Sequence, residues 1–591
     1  MSTLRQLVFL DHPHIVFSAV ALATSLGALS PTRTFFPLIL LLISLHLYVR
    51  VVSRRPRAIL HLANIWLWTT TGAFVAHVPS SLHALSSNAG SLFSLFLISG
   101  VSNIVALVAV YVDARLCLQM KTPWARITTF PAIWATCWQA VSYITTVGNL
   151  VSWTPVVGIE PYKWMRPVFG SWGINWVTAA WAVVGSELVG AWFIGPTQHM
   201  DDSTDPQLIS FEGSSDDTRT APKKSISRDP YHIFCLGIGL LGLAVPSYFF
   251  QALPDPAYST STTPLTVGCV LPPPLAHGDH GSPLDRFIAE SRKLTRANIL
   301  LWPEGAVRFD SATEREDAIA KVQASIKGPY VGLSFDDPAP PDWQRGNLRP
   351  GLRRNGLVIV GPKGKVYEYY KRNLVPVVES FSMAPSMDPP ETYELQLGPP
   401  PGTRKPDWAP SHPFVRPIPL TAGICLDFAQ GTAFVDLPAR PALILGPART
   451  WHRDVGLSMW EQARARAEEL DSIVLFCDGG HDGVSGVAGR GMDEVMQVGS
   501  GSWTRTIGIQ YPFNERRTLY TKVGDSTMLV VVWAMLGLGW AGELGAERIA
   551  ERLQFRGDGG KVQMIFQAAQ RIWNGFTARR APRGEQQPLL A

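Results

Sequence analysis

The segment Ser91-Leu-Phe-Ser-Leu-Phe-Leu-Ile-Ser-Gly-Val-Ser-Asn-Ile-Val-Ala-Leu-Val-Ala-Val-Tyr-Val112 decides the architecture of this chain, because it contains no Asp, Glu, Lys or Arg. A helix needs about 20 mostly apolar residues to cross a bilayer, since every backbone N–H and C=O must be bonded inside the segment. Similar segments precede and follow it, and together they predict a membrane bundle of about eight spans. The predicted spans lie near residues 15–31, 36–52, 58–78, 91–111, 129–153, 172–195, 233–251 and 527–542.

The composition agrees with a membrane protein. Hydrophobic residues make up 46% of the 591 residues and charged residues only 17%, with 20 tryptophans, which is unusual for a soluble protein. The net charge of +5 is small for this length, and the basic residues cluster beside apolar segments, so no nucleic-acid partner is expected. The first apolar segment is not followed by a small-residue cleavage site and is expected to be retained.

Lys and Arg collect in alternate loops of the predicted bundle, and this bias sets its orientation. The loop around Arg50 to Arg57 is strongly basic and the one from Arg115 to Arg126 is mostly basic, whereas residues 78–91 include neither Lys nor Arg. The basic loops are therefore predicted to be cytoplasmic. Residues 253–526 are then non-cytoplasmic: in the periplasm of a bacterium, or in the lumen or on the surface of a eukaryotic cell.

Two regions are predicted to lie on the cytoplasmic side without a core of their own. Residues 198–230 are rich in Ser, Asp, Thr and Lys, which predicts a disordered loop within the membrane region 1–252. Residues 544–591 form a basic tail after the final span at 527–543. This tail ends in Glu585 to Leu590, which fits the acidic dileucine pattern of eukaryotic sorting signals.

Between residues 253 and 526, apolar strands alternate with helices, which predicts an α/β layered domain. Helices are predicted to begin after Ser282 and to span residues 313–326 and 457–470. Strands are predicted at residues 265–271, 298–302, 330–335, 417–425, 442–445 and 473–477, with a hairpin over 357–370 that turns at 361–364.

The six cysteines are scattered without C-x-x-C spacing. Neither a metal site nor a disulfide framework is expected from this pattern. Cys477 ends a predicted apolar strand and is interpreted as a core residue.

Three passages place a reactive side chain at or just after the end of an apolar strand: Leu300-Leu-Trp-Pro-Glu304-Gly305, Tyr369-Tyr-Lys371 through Glu379, and Thr421-Ala-Gly-Ile-Cys425-Leu-Asp427-Phe428. A cysteine is a strong nucleophile only as thiolate and needs a base or a positive charge nearby. Glu304 is predicted to be that base and Lys371 to stabilise the oxyanion. Taken singly, each would be interpreted as ordinary structure: a core cysteine, a solvated glutamate and a surface lysine. Their order behind seven predicted spans favours the catalytic interpretation.

In these motifs the sequence resembles the nitrilase (carbon–nitrogen hydrolase) superfamily, and more specifically the bacterial apolipoprotein N-acyltransferases, which carry W-P-E, K-x-x-L-V-P and G-x-x-I-C-Y-E in that order. That family also has seven spans before its catalytic domain and one after it. The resemblance implies an αββα sandwich for residues 253–526 and the same three catalytic roles. It extends to Trp451-His452 and to Thr518 through Asp525. It covers most of the chain but excludes residues 198–230 and the tail.

The resemblance also implies residues around the substrate. Glu379 matches a family glutamate that shapes the active site, and Trp302 and Asp427 are assigned with it to substrate binding. Asp427 stands where the family has Glu, and Leu426 where it has Tyr. The shorter carboxylate and the missing hydroxyl put substrate choice in question more than chemistry.

The leading functional prediction is acyl transfer from a membrane phospholipid to an amine through a thioester on Cys425, without a cofactor. A protein or lipoprotein N-terminus is the acceptor that the family implies. One alternative is a membrane-anchored amidase or nitrilase that hydrolyses a C–N bond. Another is an inactive scaffold with a vestigial domain, which the altered Leu426-Asp427 pair would suit.

Overall fold

The computed structural model describes residues 12–52, 57–82, 84–120, 122–194, 231–249, 253–273, 281–340, 351–400 and 402–555. The predicted loop 198–230, the dileucine pattern at 585–590 and the tail beyond residue 555 lie outside these residues.

Long apolar helices occupy both ends of the described chain. Before the soluble domain they are α1 Pro13–Ala28, α2 Phe35–Val52, α3 Ala58–Ser81, α4 Asn88–Leu116, α5 Pro123–Ile144, α6 Arg166–Ile194 and α7 Tyr231–Ala244. Short 3₁₀ turns at Gly148–Val151, Glu160–Met165 and Val245–Phe249 join or extend them.

The predicted spans coincide with helices, and several of these helices can cross a membrane. Within the described residues, five segments are long and apolar enough: Phe35–Val52, Ala58–Ser81, Asn88–Leu116, Tyr231–Phe249 and Leu519–Ala546. The structure is therefore consistent with a membrane protein, whereas a total of about eight crossings stays a prediction.

Two helix boundaries differ from the prediction. Helix α5 ends at Ile144 instead of residue 153, because the chain turns there to meet the soluble domain. The last helix of the described chain, α12, spans Leu519–Phe555. It begins before the predicted span and continues past residue 544, so the first part of the predicted tail is helical.

A buried polar cluster joins three helices of the bundle. His46 of α2 lies with Nε2 2.9 Å from Asp113 Oδ2 of α4 and with Nδ1 2.7 Å from Ser186 Oγ of α6. All three residues are fully buried. Polar groups at such positions are costly unless they are paired, and their mutual hydrogen bonds fix the packing of α2, α4 and α6.

The soluble domain contains two mixed sheets. The first has the strand order β13-β1-β2-β4-β5-β6 with β3 paired to β4, and the second has the order β12-β11-β10-β9-β8-β7. The strands are β1 Thr262–Cys269, β2 Ile299–Leu301, β3 Val307–Arg308, β4 Tyr330–Pro338, β5 Arg353–Gly361, β6 Gly364–Tyr370, β7 Tyr393–Leu397, β8 Arg416–Ala422, β9 Leu443–Ala448, β10 Ile473–Asp478, β11 Val484–Gly489, β12 Met492–Val498 and β13 Trp503–Gln510.

The helices of this domain are α8 Pro283–Lys293, α9 Ala312–Ser325, the short α10 Lys405–Trp408 and α11 Arg453–Leu470. Helices α8 and α9 pack on the outer face of the first sheet, and α11 packs on the second. The two sheets share an apolar core between them. This is the predicted layered arrangement.

Helix α11 lies between the second sheet and the membrane bundle, so its charged face is buried. Arg166, at the start of α6, has its Nε 3.0 Å from Glu468 Oε2. Arg466 Nη2 lies 2.6 Å from Glu469 Oε1. Burial raises the pKa of Glu469 to about 7, against the opposing effect of Arg466 and Arg166. A helix that was predicted to be amphipathic thus uses ion pairs to join the two halves of the protein.

The soluble domain rests on one end of the bundle. Trp451 Nε1 donates to Ser80 O at 2.9 Å, Ser458 Oγ to Pro31 O at 2.7 Å, and Gln430 Nε2 to Thr146 O at 2.9 Å. Ser80 lies in the last turn of α3, and Pro31 and Thr146 lie in the segments that follow α1 and α5. The soluble domain therefore contacts the end of the bundle at which α1, α3 and α5 end.

Cys269 and Cys477 form a disulfide, which contradicts the expectation that no disulfide is present. Cys269 ends β1 of the first sheet, and Cys477 lies in β10 of the second, so the bond crosses the core between the sheets. Cys477 is buried as predicted, but it is half of a cross-link. The partners stand 208 residues apart, and local spacing cannot reveal such a pair.

Candidate active site

Three strands deliver the predicted triad to one edge of the sandwich. Glu304 follows β2, Lys371 follows β6, and Cys425 follows β8 after a short turn. The Glu304 N–H donates to Ala448 O at the end of β9, so the loop after β2 reaches from one sheet to the other. Carboxyl ends of parallel strands collect at one edge of a sheet, where loops carry functional groups.

The three predicted catalytic side chains converge and are nearly inaccessible to solvent. Lys371 Nζ lies 2.7 Å from Glu304 Oε1 and 2.8 Å from Glu379 Oε1. The Cys425 thiol lies close enough to the Glu304 carboxylate for each to shift the pKa of the other. Only 5% of Glu304, 1% of Lys371 and 7% of Cys425 is exposed. The structure thus brings together the residues assigned from sequence, and their catalytic roles remain a prediction.

The turn after β8 holds Cys425 in an unusual backbone conformation. Its φ of 45° lies in the left-handed region, which residues with a side chain rarely adopt. The carboxylate of Asp427 stabilises the turn by accepting from the Ile424 N–H at 2.9 Å. Strained residues of this kind cluster at functional sites, where the surroundings hold them in place.

The electrostatics match a neutral thiol beside a base. Burial raises the pKa of Glu304 to about 7, although Lys371 acts in the opposite direction. Burial lowers the pKa of Lys371, but the negative charges of Glu304, Cys425 and Glu379 raise it well above its ordinary value. Burial, followed by the Glu304 carboxylate, raises the pKa of Cys425. The thiol therefore needs a proton acceptor to react near neutral pH, and Glu304 is in contact with it.

Trp302 and Asp427, which were assigned to substrate binding, both have structural partners. Trp302 is fully buried in the outer layer of the domain, where its Nε1 donates to Ser291 Oγ at 3.0 Å and its ring stacks on Phe287 of α8. Asp427 has donors on both carboxylate oxygens, including Tyr369 OH at 2.9 Å and the Asn373 N–H at 2.8 Å, and these hold the nucleophile turn. A role of either residue in substrate binding stays a prediction.

Glu379 keeps its predicted place beside the triad. Its Oε1 accepts from Lys371, and its Oε2 accepts from the Val375 N–H at 2.8 Å. It belongs to an irregular loop whose outer side chains are apolar and exposed, including Val377, Val378 and Phe381.

Sequence reasoning missed Asn355 and Asp478. Asn355, in β5, donates from Nδ2 to Glu304 Oε1 at 2.6 Å. Asp478, at the end of β10, bonds the Thr450 hydroxyl at 2.6 Å, and its charge raises the pKa of Cys425. Both could have been found as polar residues next to an apolar strand. Asn355 comes just before the run Leu357–Val360, and Asp478 comes just after Ile473–Cys477.

No model of a known protein family and no curated protein matches this sequence. Among solved structures, the chain is similar to an amidase from Nesterenkonia sp. AN1, with 16% identity and a TM-score of 0.30 over 45% of this chain and 98% of the amidase. It is also similar to Saccharomyces cerevisiae Nit3, a member of branch 10 of the nitrilase superfamily, with 13% identity and a TM-score of 0.29 over 42% and 92% of the two chains. A glutamine-dependent NAD+ synthetase from Acinetobacter baumannii shows 13% identity and a TM-score of 0.29 over 44% of this chain and 50% of the synthetase. These structural neighbours include amidases of the nitrilase superfamily, at low identity.

Proposed function

We propose that this protein is a membrane N-acyltransferase that moves an acyl chain from a phospholipid to an amine through a thioester on Cys425. The observation that carries the proposal is a buried cysteine, glutamate and lysine held against the end of an apolar helical bundle. A soluble substrate would not require this placement, whereas a lipid ester would.

A cavity in the bundle supports a lipid donor. It measures about 150 Å³ and is lined by α3, α4 and the chain around Arg33 and Leu150. Arg33 is 7% exposed and donates to the carbonyls of Asn149 and Leu150. Ile98, which also lines the cavity, is 52% exposed on the outer surface of the bundle. Walls with apolar and polar side chains that open toward lipid, together with the buried Arg33, suit part of a phospholipid: a segment of acyl chain and the headgroup phosphate.

The cavity and the nucleophile share one structural element. The 3₁₀ turn Gly148–Val151 lines the cavity through Leu150 and Val151. It also packs on the turn Cys425–Ala429: a Cβ atom on Gly148 would lie 2.2 Å from Ala429 O. Only glycine permits this approach, and the φ of 52° at Gly148 also favours it. A lipid held in the cavity would therefore lie next to the nucleophile turn.

The proposed reaction has two halves. In the first, Glu304 takes the proton of the Cys425 thiol, and the sulfur attacks the ester carbonyl. The Lys371 ammonium stabilises the oxyanion. The C–O bond breaks, the departing alkoxide receives the proton from Glu304, and a lysophospholipid leaves. In the second half an amine attacks the thioester, Glu304 takes a proton from the amine nitrogen, the amide forms, and the thiol is regenerated.

The disulfide supports the predicted orientation. Disulfides persist in the periplasm, the secretory lumen and at the cell surface, and are rare in the cytosol. A domain joined by Cys269 and Cys477 therefore suits the predicted non-cytoplasmic side. The amine acceptor would then be a lipoprotein or another protein N-terminus presented on that side.

The test uses the full-length protein in lipid nanodiscs of mixed phospholipids. Mass spectrometry of the Cys425 peptide should detect an acyl adduct that is absent in Cys425→Ala. Adding a peptide with a free N-terminus should discharge the adduct and yield an acylated peptide. Fatty acid in place of acylated peptide would favour the hydrolase. An adduct that fails to form with any phospholipid would refute the proposal, and a thiol that is also inert to alkylating reagents would favour the inactive scaffold.

A further inference from the structure

Asn355 is a buried side chain whose amide serves the candidate base. It lies in β5, is 3% exposed, and its Nδ2 is 2.6 Å from Glu304 Oε1. Its backbone carbonyl accepts from the Lys371 N–H at 2.9 Å. One residue therefore contacts the Glu304 carboxylate through its side chain and the backbone of Lys371 through its carbonyl.

The contacts of Glu304 distinguish its two oxygens. Oε1 receives Lys371 Nζ at 2.7 Å and Asn355 Nδ2 at 2.6 Å. With an ammonium and an amide N–H both directed at Oε1, its lone pairs are engaged, and a proton is better accepted by Oε2. A base that both receives and returns a proton benefits from a fixed accepting oxygen, since proton transfer requires hydrogen-bond geometry.

We propose that Asn355 is a positioning residue for the acyl-transfer reaction, which fixes Glu304 so that Oε2 exchanges the proton with Cys425. This inference rests on the part of the proposed function that assigns Glu304 as base, and it is independent of the acyl acceptor. Asn355 does not touch the reacting atoms. It stabilises the ionised form of Glu304, because an N–H donor favours a carboxylate over a carboxylic acid.

Removing the Asn355 amide donor should raise the pKa of Glu304. Without the amide N–H, the carboxylate form of Glu304 loses stabilisation, its pKa rises, and the base becomes available only at higher pH. Loss of a hydrogen bond to a charged group changes the pKa of that group by about one to two pH units. The pH at which Cys425 becomes reactive should rise by about that amount, with a rate at pH 7 about 5- to 50-fold lower.

The experiment measures alkylation of Cys425 by iodoacetamide in the full-length protein, as a function of pH, by mass spectrometry of the Cys425 peptide. Asn355→Leu removes the donor at a similar side-chain size, and Asn355→Ala removes it together with most of the side chain. The matched control is Asn298→Leu, since the Asn298 side chain accepts from the Thr266 N–H at 2.7 Å and has no role at the site. Both Asn355 variants should shift the midpoint upward, and the control should leave it in place.

The outcomes separate this inference from the proposed function. A wild-type cysteine that is not alkylated at any pH counts against the triad itself. A reactive wild type with an unchanged midpoint in the Asn355 variants overturns the role of Asn355 alone. If Asn355→Leu fails to fold, Asn355→Ala decides the matter, because its smaller side chain fits the same space without a new charge.

Discussion

Removing the disulfide should destabilise the soluble domain without directly altering the triad. The Cys269–Cys477 bond closes a loop of 208 residues, for which the chain-entropy relation gives about 5 kcal/mol at 25 °C. The effect in the membrane should be smaller, because both ends of the domain enter one bundle and the unfolded chain is already closed there. We expect a loss of about 2–5 kcal/mol, equivalent to a fall in melting temperature of roughly 5–15 °C.

The assay is thermal unfolding of the full-length protein in detergent, followed by size-exclusion chromatography of the remaining folded fraction. Cys269→Ala/Cys477→Ala should melt at the lower temperature, and the wild type treated with a reductant under partly unfolding conditions should approach the same value. Cys137→Ala/Cys235→Ala is the matched control, because both of these cysteines are free.

The reasoning would be refuted by protein from native membranes in which the Cys269 and Cys477 peptides are not linked. Equal melting temperatures for the double variant and the wild type would also refute it. Either result would remove the support that the disulfide gives to a non-cytoplasmic location.

Three further predictions concern the site and the cavity. Acylation of Cys425 should increase about tenfold per pH unit up to pH about 7 and then level off, because Glu304, whose pKa burial raises to about 7, is a base only when deprotonated; initial rates from pH 5 to 8 measure this, and a flat profile contradicts it. Asp427→Asn should lower the free energy of unfolding by about 2–4 kcal/mol and slow alkylation of Cys425, because a neutral amide cannot accept all the donors that hold the nucleophile turn; thermal unfolding with an alkylation time course tests both. Arg33→Gln should raise the phospholipid concentration needed for half-maximal acylation about tenfold or more, since it removes a charged partner for phosphate, and an unchanged value would exclude Arg33 from donor binding.

Much of this fold could be predicted, because many of its helices and strands carry a recognisable pattern in their own residues. Apolar runs without charge gave helices, as at α4, and alternating apolar strands gave the layered domain. Some strands escaped prediction, including β11 and β12, because glycines in β11 and charged residues along β12 hide their pattern. The end of α5 was also misplaced, since Gly148 is needed for a contact with a turn far along the chain.

The candidate site likewise has a part that could be predicted from sequence and a part that could not. Glu304, Lys371 and Cys425 stand in short motifs at strand ends, so their types and order could be recognised. What surrounds them depends on contacts between distant residues. Asn355 reaches Glu304 across neighbouring strands, and the partner of Cys477 lies in the opposite sheet. Trp302 is close to Glu304 in sequence, but its side chain is buried in the outer layer against Phe287, which the motif alone could not show.

The proposed function requires the membrane bundle and the nucleophile turn to keep one arrangement, and buried ion pairs of α11 connect the two parts. A lipid ester in the bundle and a thiol in the soluble domain can meet only if the two parts keep a fixed relation. Arg166 of α6 pairs with Glu468, and the Gly148 turn packs on the residues after Cys425. Breaking one partner of a buried pair costs about 3–5 kcal/mol, because it leaves an uncompensated charge. Sliding of the domain would break the contacts of Arg166 with both Glu468 and Glu469, so the interface holds the nucleophile turn beside the cavity.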